Sequence, residues 1–352
     1  MKLDDLVYRT SEWLKGQGPS SEIVMSSRVR LARNIDGMTF SHRASREKQA
    51  EVVSLVHSAV ESSKFLRNSS FFDLSELGPL DCQFLRERHL ISHELAESKG
   101  VRAVVVSDNE IVSIMINEED HLRLQAIESG LQLMAAWRLI DGIESELDTQ
   151  LRFAFSKEWG YLTACPTNAG TGMRASVMLH LPSLVLTKQI SKVLQAITKL
   201  GLVARGLYGE GTEPLGNYFQ ISNQVTLGQA EEEIIDNIER VIKQIIGHEE
   251  NARKILLSKG RRQLLEDKVF RAYGILKNVR IIDSSETVNL LSALRLGVDL
   301  GLTEDISRQA INELLIITQP AHLQKLQGRA LSPAQRDVKR AELIRERLEK
   351  SK

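Results

Sequence analysis

Cysteine is nearly absent: the 352 residues hold two, Cys82 and Cys165. That is too few for a disulfide framework or a four-ligand zinc site. Net charge is absent too, with 46 Lys plus Arg against 46 Asp plus Glu. A dedicated binder of nucleic acid or membrane surfaces carries a basic excess, so neither partner is expected. No stretch approaches the roughly 18–20 apolar residues of a membrane span. The start, Met1-Lys2-Leu3-Asp4-Asp5, lacks the basic-then-apolar pattern of a secretory signal. The expectation is a cytoplasmic protein with reduced thiols.

What is present fits an ordinary globular chain. Hydrophobic residues make up 42%, enough for a substantial core, and the length suits two domains of about 150 residues each. One asymmetry hides inside the balanced charge: 28 of the 46 basic residues are Arg.

Periodicity divides the chain. Helical spacing is predicted over 45–65 and 127–140, and again over 184–200, ending at Gly201. Val101–Ser107 and Glu110–Ile116 predict a hairpin turning at Asp108-Asn109. Further strands are predicted over 159–164, 176–181, 202–207 and 218–227. After Gly228 only helical patterns follow, beginning with the stripe Ile234, Ile235, Ile238, Val241, Ile242, Ile245 and Ile246. The predicted fold class is α+β, with a domain over 1–250 and an all-helical domain over 251–352.

Four clusters carry chemistry. In Ser26-Ser27-Arg28-Val29-Arg30, the two arginines lie two apart, so an extended segment projects both to one face. Two guanidinium forks fit a polyphosphate; the motif alone also reads as a solvated basic strand edge. Asn117-Glu118-Glu119-Asp120-His121-Leu122-Arg123 places three acids after an apolar strand. Such acids are held by a partner, a metal or a cationic substrate, or they cap a turn. A guanidinium becomes a nucleophile only when a positioned base takes its proton, and a carboxylate pair suits that task. Cys165-Pro166-Thr167-Asn168-Ala169-Gly170-Thr171-Gly172-Met173-Arg174 offers backbone N–H groups to phosphate, although the P-loop ending is missing. Its thiol reads either as a thiolate contact or as a small buried hydrophobe. The glycines at 206, 209, 211 and 216 make the stretch 205–217 a lid or an ordinary loop, with Arg205 at its base and Glu210 at its tip.

Taken in order, these strings resemble the ATP:guanidino phosphotransferases, the family of creatine and arginine kinases. The likeness runs from about residue 22 to 227 and is most specific at Cys165–Thr171. It implies a guanidino-kinase catalytic domain with a central antiparallel β-sheet flanked by helices, and ATP with Mg2+ as cofactors. It implies that Ser27, Arg28, Arg30, Arg123, Arg174 and Arg205 contact the ATP phosphates. Glu119 becomes the general base, Glu210 the second carboxylate on the guanidinium, and Cys165 a contact to its nitrogen. No protein side chain is assigned to the metal. Position 178 is Met where many members carry His, which leaves the adenine contacts unassigned.

Members acting on small guanidines carry a helical domain ahead of the first motif, whereas here Ser26 opens it and a helical region follows the catalytic part. That arrangement resembles the branch of the family that phosphorylates arginine side chains of proteins. The string Arg336-Asp337-Val338-Lys339-Arg340-Ala341 supports it. In that branch it implies a regulatory phosphoarginine site, with Arg336 and Arg340 one helical turn apart to grip the phosphate and Asp337 to accept from the ligand's guanidinium. The resemblance also implies a homodimer, to which the 234–246 stripe or the C-terminal helices contribute. It further implies protein substrates with exposed arginine, a heat-shock repressor and an activator protein as partners, and marking of clients for a Clp-type chaperone-protease. The alternatives are a kinase for free arginine or another small guanidine, and a non-catalytic phosphoarginine-binding adaptor. Cys82, His89 and His93 read as packing or surface residues.

Overall fold

The computed structural model describes residues 2–206, 215–258 and 260–350. In chain order its elements begin with β1 (Val24–Arg33), α1 (Arg46–Ser62), β2 (Ser69–Asp73), α2 (Pro79–Glu87) and α3 (His93–Glu97). Then come β3 (Ala103–Ser107), β4 (Val112–Ile116), β5 (Leu122–Ser129), α4 (Leu133–Leu151), β6 (Phe155–Ser156), β7 (Gly160–Tyr161) and β8 (Met173–His180). Next are α5 (Pro182–Leu186), α6 (Ile190–Lys199), β9 (Leu202–Gly206), β10 (Tyr218–Asn223) and α7 (Glu231–Leu256). The chain closes with α8 (Arg262–Asn278), α9 (Ser284–Asp299), α10 (Arg308–Ile317), α11 (Pro320–Gln327) and α12 (Pro333–Lys350).

Eight strands form one antiparallel sheet in the order β2-β3-β4-β5-β1-β8-β10-β9. Side chains alternate across a strand, so each register fixes two faces. One face presents Val29, Leu31, Leu124, Ala126, Ala175, Val177, Phe219 and Ile221 to a core shared with α1, α4 and α7. The isoleucine stripe of 234–246 lies buried in this core. It is therefore committed within the chain, and its expected part in a dimer contact is withdrawn.

The opposite face carries two apolar patches. At one, Phe72, Val104, Val106 and Met115 pack with α2, α3 and Ala321 of α11. At the other, Met25, Ile127 and Tyr218 pack with Trp13, Leu14 and helices α8, α9, α10 and α12. The C-terminal helices thus share a core with the sheet. Buried polar contacts fasten them: Arg295 Nη2 donates to Ser21 O at 2.8 Å, and Asn312 Nδ2 to Leu14 O at 3.0 Å. The Glu87 carboxylate accepts the N–H groups of Ala321 and His322 at the start of α11.

Several local expectations change. Residues 127–129 continue β5, because Ser26 and Ser27 of β1 pair with Ser129 and Glu128, and helix begins only at Leu133. Between them Gly130 takes φ +70°, and a Cβ there would meet Pro19 O at 2.5 Å. The helix expected over 184–200 is two helices, broken where Lys188 adopts φ +58°. Of 159–164, only Gly160–Tyr161 is strand. The hairpin at 101–116 forms, with Val105 opposite Ile114. Position 250 falls inside α7, which runs unbroken to Leu256.

Candidate active site

The second sheet face also carries the arginines. Across the ladder Ala32 lies opposite Arg123, Arg30 opposite Arg174, Arg28 opposite Ser176, Ser176 opposite Ser222, and Gln220 opposite Arg205. Cross-strand partners share a face, so Arg28, Arg30, Arg123, Arg174 and Arg205 all project from one side of one sheet. They come from four different strands, and only the registers bring them together. Burial pulls the Arg28 guanidinium down to about 10, helped by the charges of Arg174 and Arg123. Burial also holds Arg30 well below its ordinary value, with Arg28, Arg123 and Arg174 adding repulsion and Glu118 opposing it. Arg30 Nε is buried with no hydrogen-bond partner. Crowded, partly desolvated guanidiniums with an orphan donor are what a polyanion relieves. These residues therefore fit the phosphates of ATP.

Ser27 is a correction. It falls on the opposite parity and is fully buried. Its hydroxyl donates to Gly130 O at 2.8 Å and accepts from Gln132 N–H at 2.9 Å. The side chain is spent on the β5–α4 connection and lies on the face away from the arginines. Arg33 likewise points into the core, paired with Glu144 at 2.7 Å under the ring of Tyr161.

The acid cluster forms the β4–β5 turn. Asn117 takes φ +58°, and its N–H donates to His121 O at 2.9 Å. The three acids have different employment. Glu118, only 2% exposed, accepts from Arg123 Nη1 at 2.6 Å and from Ser92 Oγ. Asp120, buried, accepts Asn34 Nδ2 at 2.7 Å and Ala164 N–H at 2.6 Å. Glu119 is the one left facing outward, 44% exposed, with Arg123 Nη2 at 3.8 Å. Its carboxyl is raised above the ordinary value by burial first and by Asp120, Glu118 and Glu94, against the pull of Arg123. A carboxylate poised upward and open to solvent has the properties of a proton acceptor.

Cys165 is half-buried beside this turn, its Sγ 3.0 Å from Thr167 Oγ1. The glycines after it serve close backbone packing. A Cβ on Gly170 would sit 2.3 Å from Thr226 O, and one on Gly172 2.7 Å from Ala32 O. The N–H groups of Ala169 and Thr171 are already given to the carbonyls of Pro166 and Thr226. The expected phosphate cradle from these amides is thus replaced by internal bonds. Glu210 lies outside the described residues.

The string at 336–341 is also reassigned in part. Arg340 is buried, and its guanidinium donates to Thr318 O at 2.9 Å, Ile282 O at 2.8 Å and Asp337 Oδ1 at 2.5 Å. Ala341 sits in the helical core. Asp337 is therefore paired with Arg340 within the chain. Arg336, half-buried, donates from Nη1 to Leu331 O at 3.3 Å and shares no acceptor with Arg340 among these contacts.

Sequence reasoning missed two positions. Asn34 holds both Asp120 and the Leu162 carbonyl, and nothing in an isolated Arg-Asn pair announces it. His89 stands near Arg28 with its ring edge-on to Trp13 at 5.4 Å, and burial with the Arg28 charge lowers it to about 3. It is a neutral imidazole beside the arginine face. Cys82 packs in the core under α2, and His93 is exposed beside Glu97.

The likeness to known proteins agrees with this geometry. The family model for the ATP:guanido phosphotransferase C-terminal catalytic domain matches residues 51–252. The model for the protein-arginine kinase McsB C-terminal domain matches residues 262–352. Among solved structures, lombricine kinase aligns with a TM-score of 0.59 and 25% identity over 67% of this chain and 68% of that one. The duplicated taurocyamine kinase from Schistosoma mansoni aligns with a TM-score of 0.60 and 26% identity over 71% of this chain and 38% of that one. The chain belongs to the ATP:guanido phosphotransferase family. Within it, relatives alike over nearly the whole chain are protein-arginine kinases. That of Pelotomaculum thermopropionicum is 51% identical over 95% of both chains. That of Moorella thermoacetica is 49% identical over 97% of this chain and 98% of its own.

Proposed function

We propose that this protein transfers the γ-phosphoryl group of ATP to arginine side chains of proteins. The observation that carries the reading is the face of five arginines flanked by an outward-facing, upshifted Glu119, in a chain alike over its whole length to protein-arginine kinases.

The chemistry follows from these groups. Arg28, Arg30, Arg123, Arg174 and Arg205 bind and orient the phosphate chain and neutralise charge that grows on the departing β-phosphate oxygen. Glu119 removes a proton from the target guanidinium. The freed nitrogen lone pair forms the N–P bond as the P–O bond to ADP breaks. Glu118 holds Arg123, which spans both acids and keeps Glu119 in register with the phosphates. Cys165 and Glu210 contact the guanidinium and fix its angle of attack. Mg2+, when bound, supplies further neutralisation of phosphate charge. His89 offers a flat neutral ring for the nucleotide base at the edge of the arginine face.

The family resemblance supports the remaining assignments. The protein works in the cytoplasm, in stress response and protein quality control, where its product marks clients for a Clp-type protease and inactivates a heat-shock repressor, with an activator protein as partner. It is a homodimer, and the exposed Leu264, Phe270 and Ile275 of α8 supply apolar surface for a second copy. Arg336, together with residues 337–341 of α12 that Arg340 braces, forms an allosteric phosphoarginine site in the helical part that follows the catalytic part near position 250. Among the described residues no helix is long and apolar enough to cross a membrane.

The deciding experiment incubates the protein with Mg-ATP and either an unfolded protein or free arginine, followed by mass spectrometry. Acid-labile phosphate on protein arginine is expected. ADP release with free arginine alone would overturn the reading in favour of a small-guanidine kinase. No ADP release with either would favour an adaptor.

A further inference from the structure

Large apolar side chains stand out of the surface around the loop that carries Cys165. Phe155 is 61% and Trp159 51% exposed, and Leu162, Val225 and Leu227 are exposed as well. They sit on segments fastened to that loop or to the neighbouring acid turn. Tyr161 N–H donates to Gly170 O, which ties the β6–β7 hairpin to it. Asn34 Nδ2 bridges Leu162 O and Asp120 Oδ1, which ties the hairpin's exit to the acid turn. Thr226, between Val225 and Leu227, donates to the carbonyls of Thr167 and Ala169.

Scattered exposed apolar residues are normal in soluble proteins, but a group gathered on one structural unit marks a contact surface. This group borders the acceptor end of the site. At this border Glu119 faces outward from the acid turn, while the turn between Phe155 and Trp159 exposes Lys157 and Glu158 together. Apolar surface beside negative charge complements a segment in which a cationic arginine is flanked by apolar side chains. Folded proteins bury such neighbours and keep their backbone in their own ladders.

We propose that Phe155, Trp159, Leu162, Val225 and Leu227 form a docking surface for an extended, non-native segment of the protein substrate. The apolar residues on either side of the target arginine seat on this surface, while Glu119 draws in its guanidinium. The inference rests on the protein-arginine kinase reading and adds a substrate preference: apolar-flanked arginines in unfolded chains.

Two peptides of equal length test it, each with one central arginine, one flanked by Gly and Ser and the other by Leu and Phe. Wild-type enzyme with Mg-ATP is expected to show a KM about tenfold lower for the apolar peptide at similar kcat. Trp159→Ser and Leu227→Ser, made separately, are each expected to shrink that preference to about threefold or less, with kcat and KM for the polar peptide unchanged. The unchanged polar-peptide kinetics show that each variant is folded. Equal KM values in wild type, or a tenfold preference that survives in both variants, would overturn the docking surface and leave the kinase assignment standing. Phosphorylation of neither peptide by wild type would sink both.

Discussion

Asp120 Oδ1 accepts the backbone N–H of Ala164 at 2.6 Å, joining the turn that carries Glu119 to the loop that carries Cys165. Each of those two residues stands one position from the bond. The same oxygen accepts Asn34 Nδ2 at the end of β1, so a single buried carboxylate ties three elements of the site. Asp120→Ala is therefore expected to lower kcat by about 10²-fold, because a displacement near 1 Å at a reacting group costs that much. The check is ADP release against substrate concentration, with KM for ATP little changed.

Glu119→Gln is expected to lower kcat by about 10²–10⁴-fold. Its carboxyl titrates above the ordinary 4.5. The base works when deprotonated, so wild-type kcat/KM falls as pH drops through that raised value. The variant loses this acid limb. A pH profile in which the limb persists in Glu119→Gln would reassign the base.

Parity separates Ser27 from its neighbours. Ser27→Ala is expected to leave KM for ATP within about twofold while lowering stability by about 1–2 kcal/mol, since the Gly130 and Gln132 backbone groups lose their partner. Arg30→Ala should raise KM for ATP and depress kcat without lowering Tm, because it removes a crowded buried cation. Nucleotide titrations with thermal melts read both.

Arg340 and Arg336 divide by burial. Arg340→Ala leaves two carbonyls and Asp337 without their donor and is expected to cost about 3 kcal/mol. Arg336→Ala should keep the wild-type Tm and weaken binding of free phosphoarginine. Unchanged phosphoarginine affinity in Arg336→Ala would remove that residue from the site.

Histidines held neutral by the fold lower its stability in acid. His322 and His89 are each lowered from 6.5 to about 3, chiefly by burial. Above pH about 6.5 neither state binds the proton and their contribution is fully present. As pH falls below that value the unfolded chain takes up protons the folded one refuses. Stability then drops by about 1.4 kcal/mol per pH unit for each histidine until pH nears 3. His322→Gln should flatten Tm against pH between about 7 and 4 relative to wild type.

Much of this was legible in the chain. The Arg28–Arg30 spacing gave the shared face, and the order of the four motifs gave the family. The acid string did not say which carboxylate is free, because Glu118, Glu119 and Asp120 differ only in partners far along the chain: Ser92, Asn34 and Ala164. Ser27 obeys the same alternation as the arginines, and its odd position turns it to the core face. The reading of Ile127–Ile140 as one helix failed because pairing with β1 decides the fate of 127–129. Arg340 looked like half of a surface pair, since helical spacing says which side chains are neighbours and not which side faces the core.

The alternation of β1 has an evolutionary consequence. Even positions supply Arg28 and Arg30 to the arginine face and odd positions supply Val29 and Leu31 to the core. A one-residue insertion or deletion in this strand would exchange the two sets, burying guanidiniums and exposing valine and leucine. Mutational drift in strand length can therefore never trade activity for stability here; it forfeits both in one step, and only substitutions that respect the two-residue rhythm remain open to the lineage.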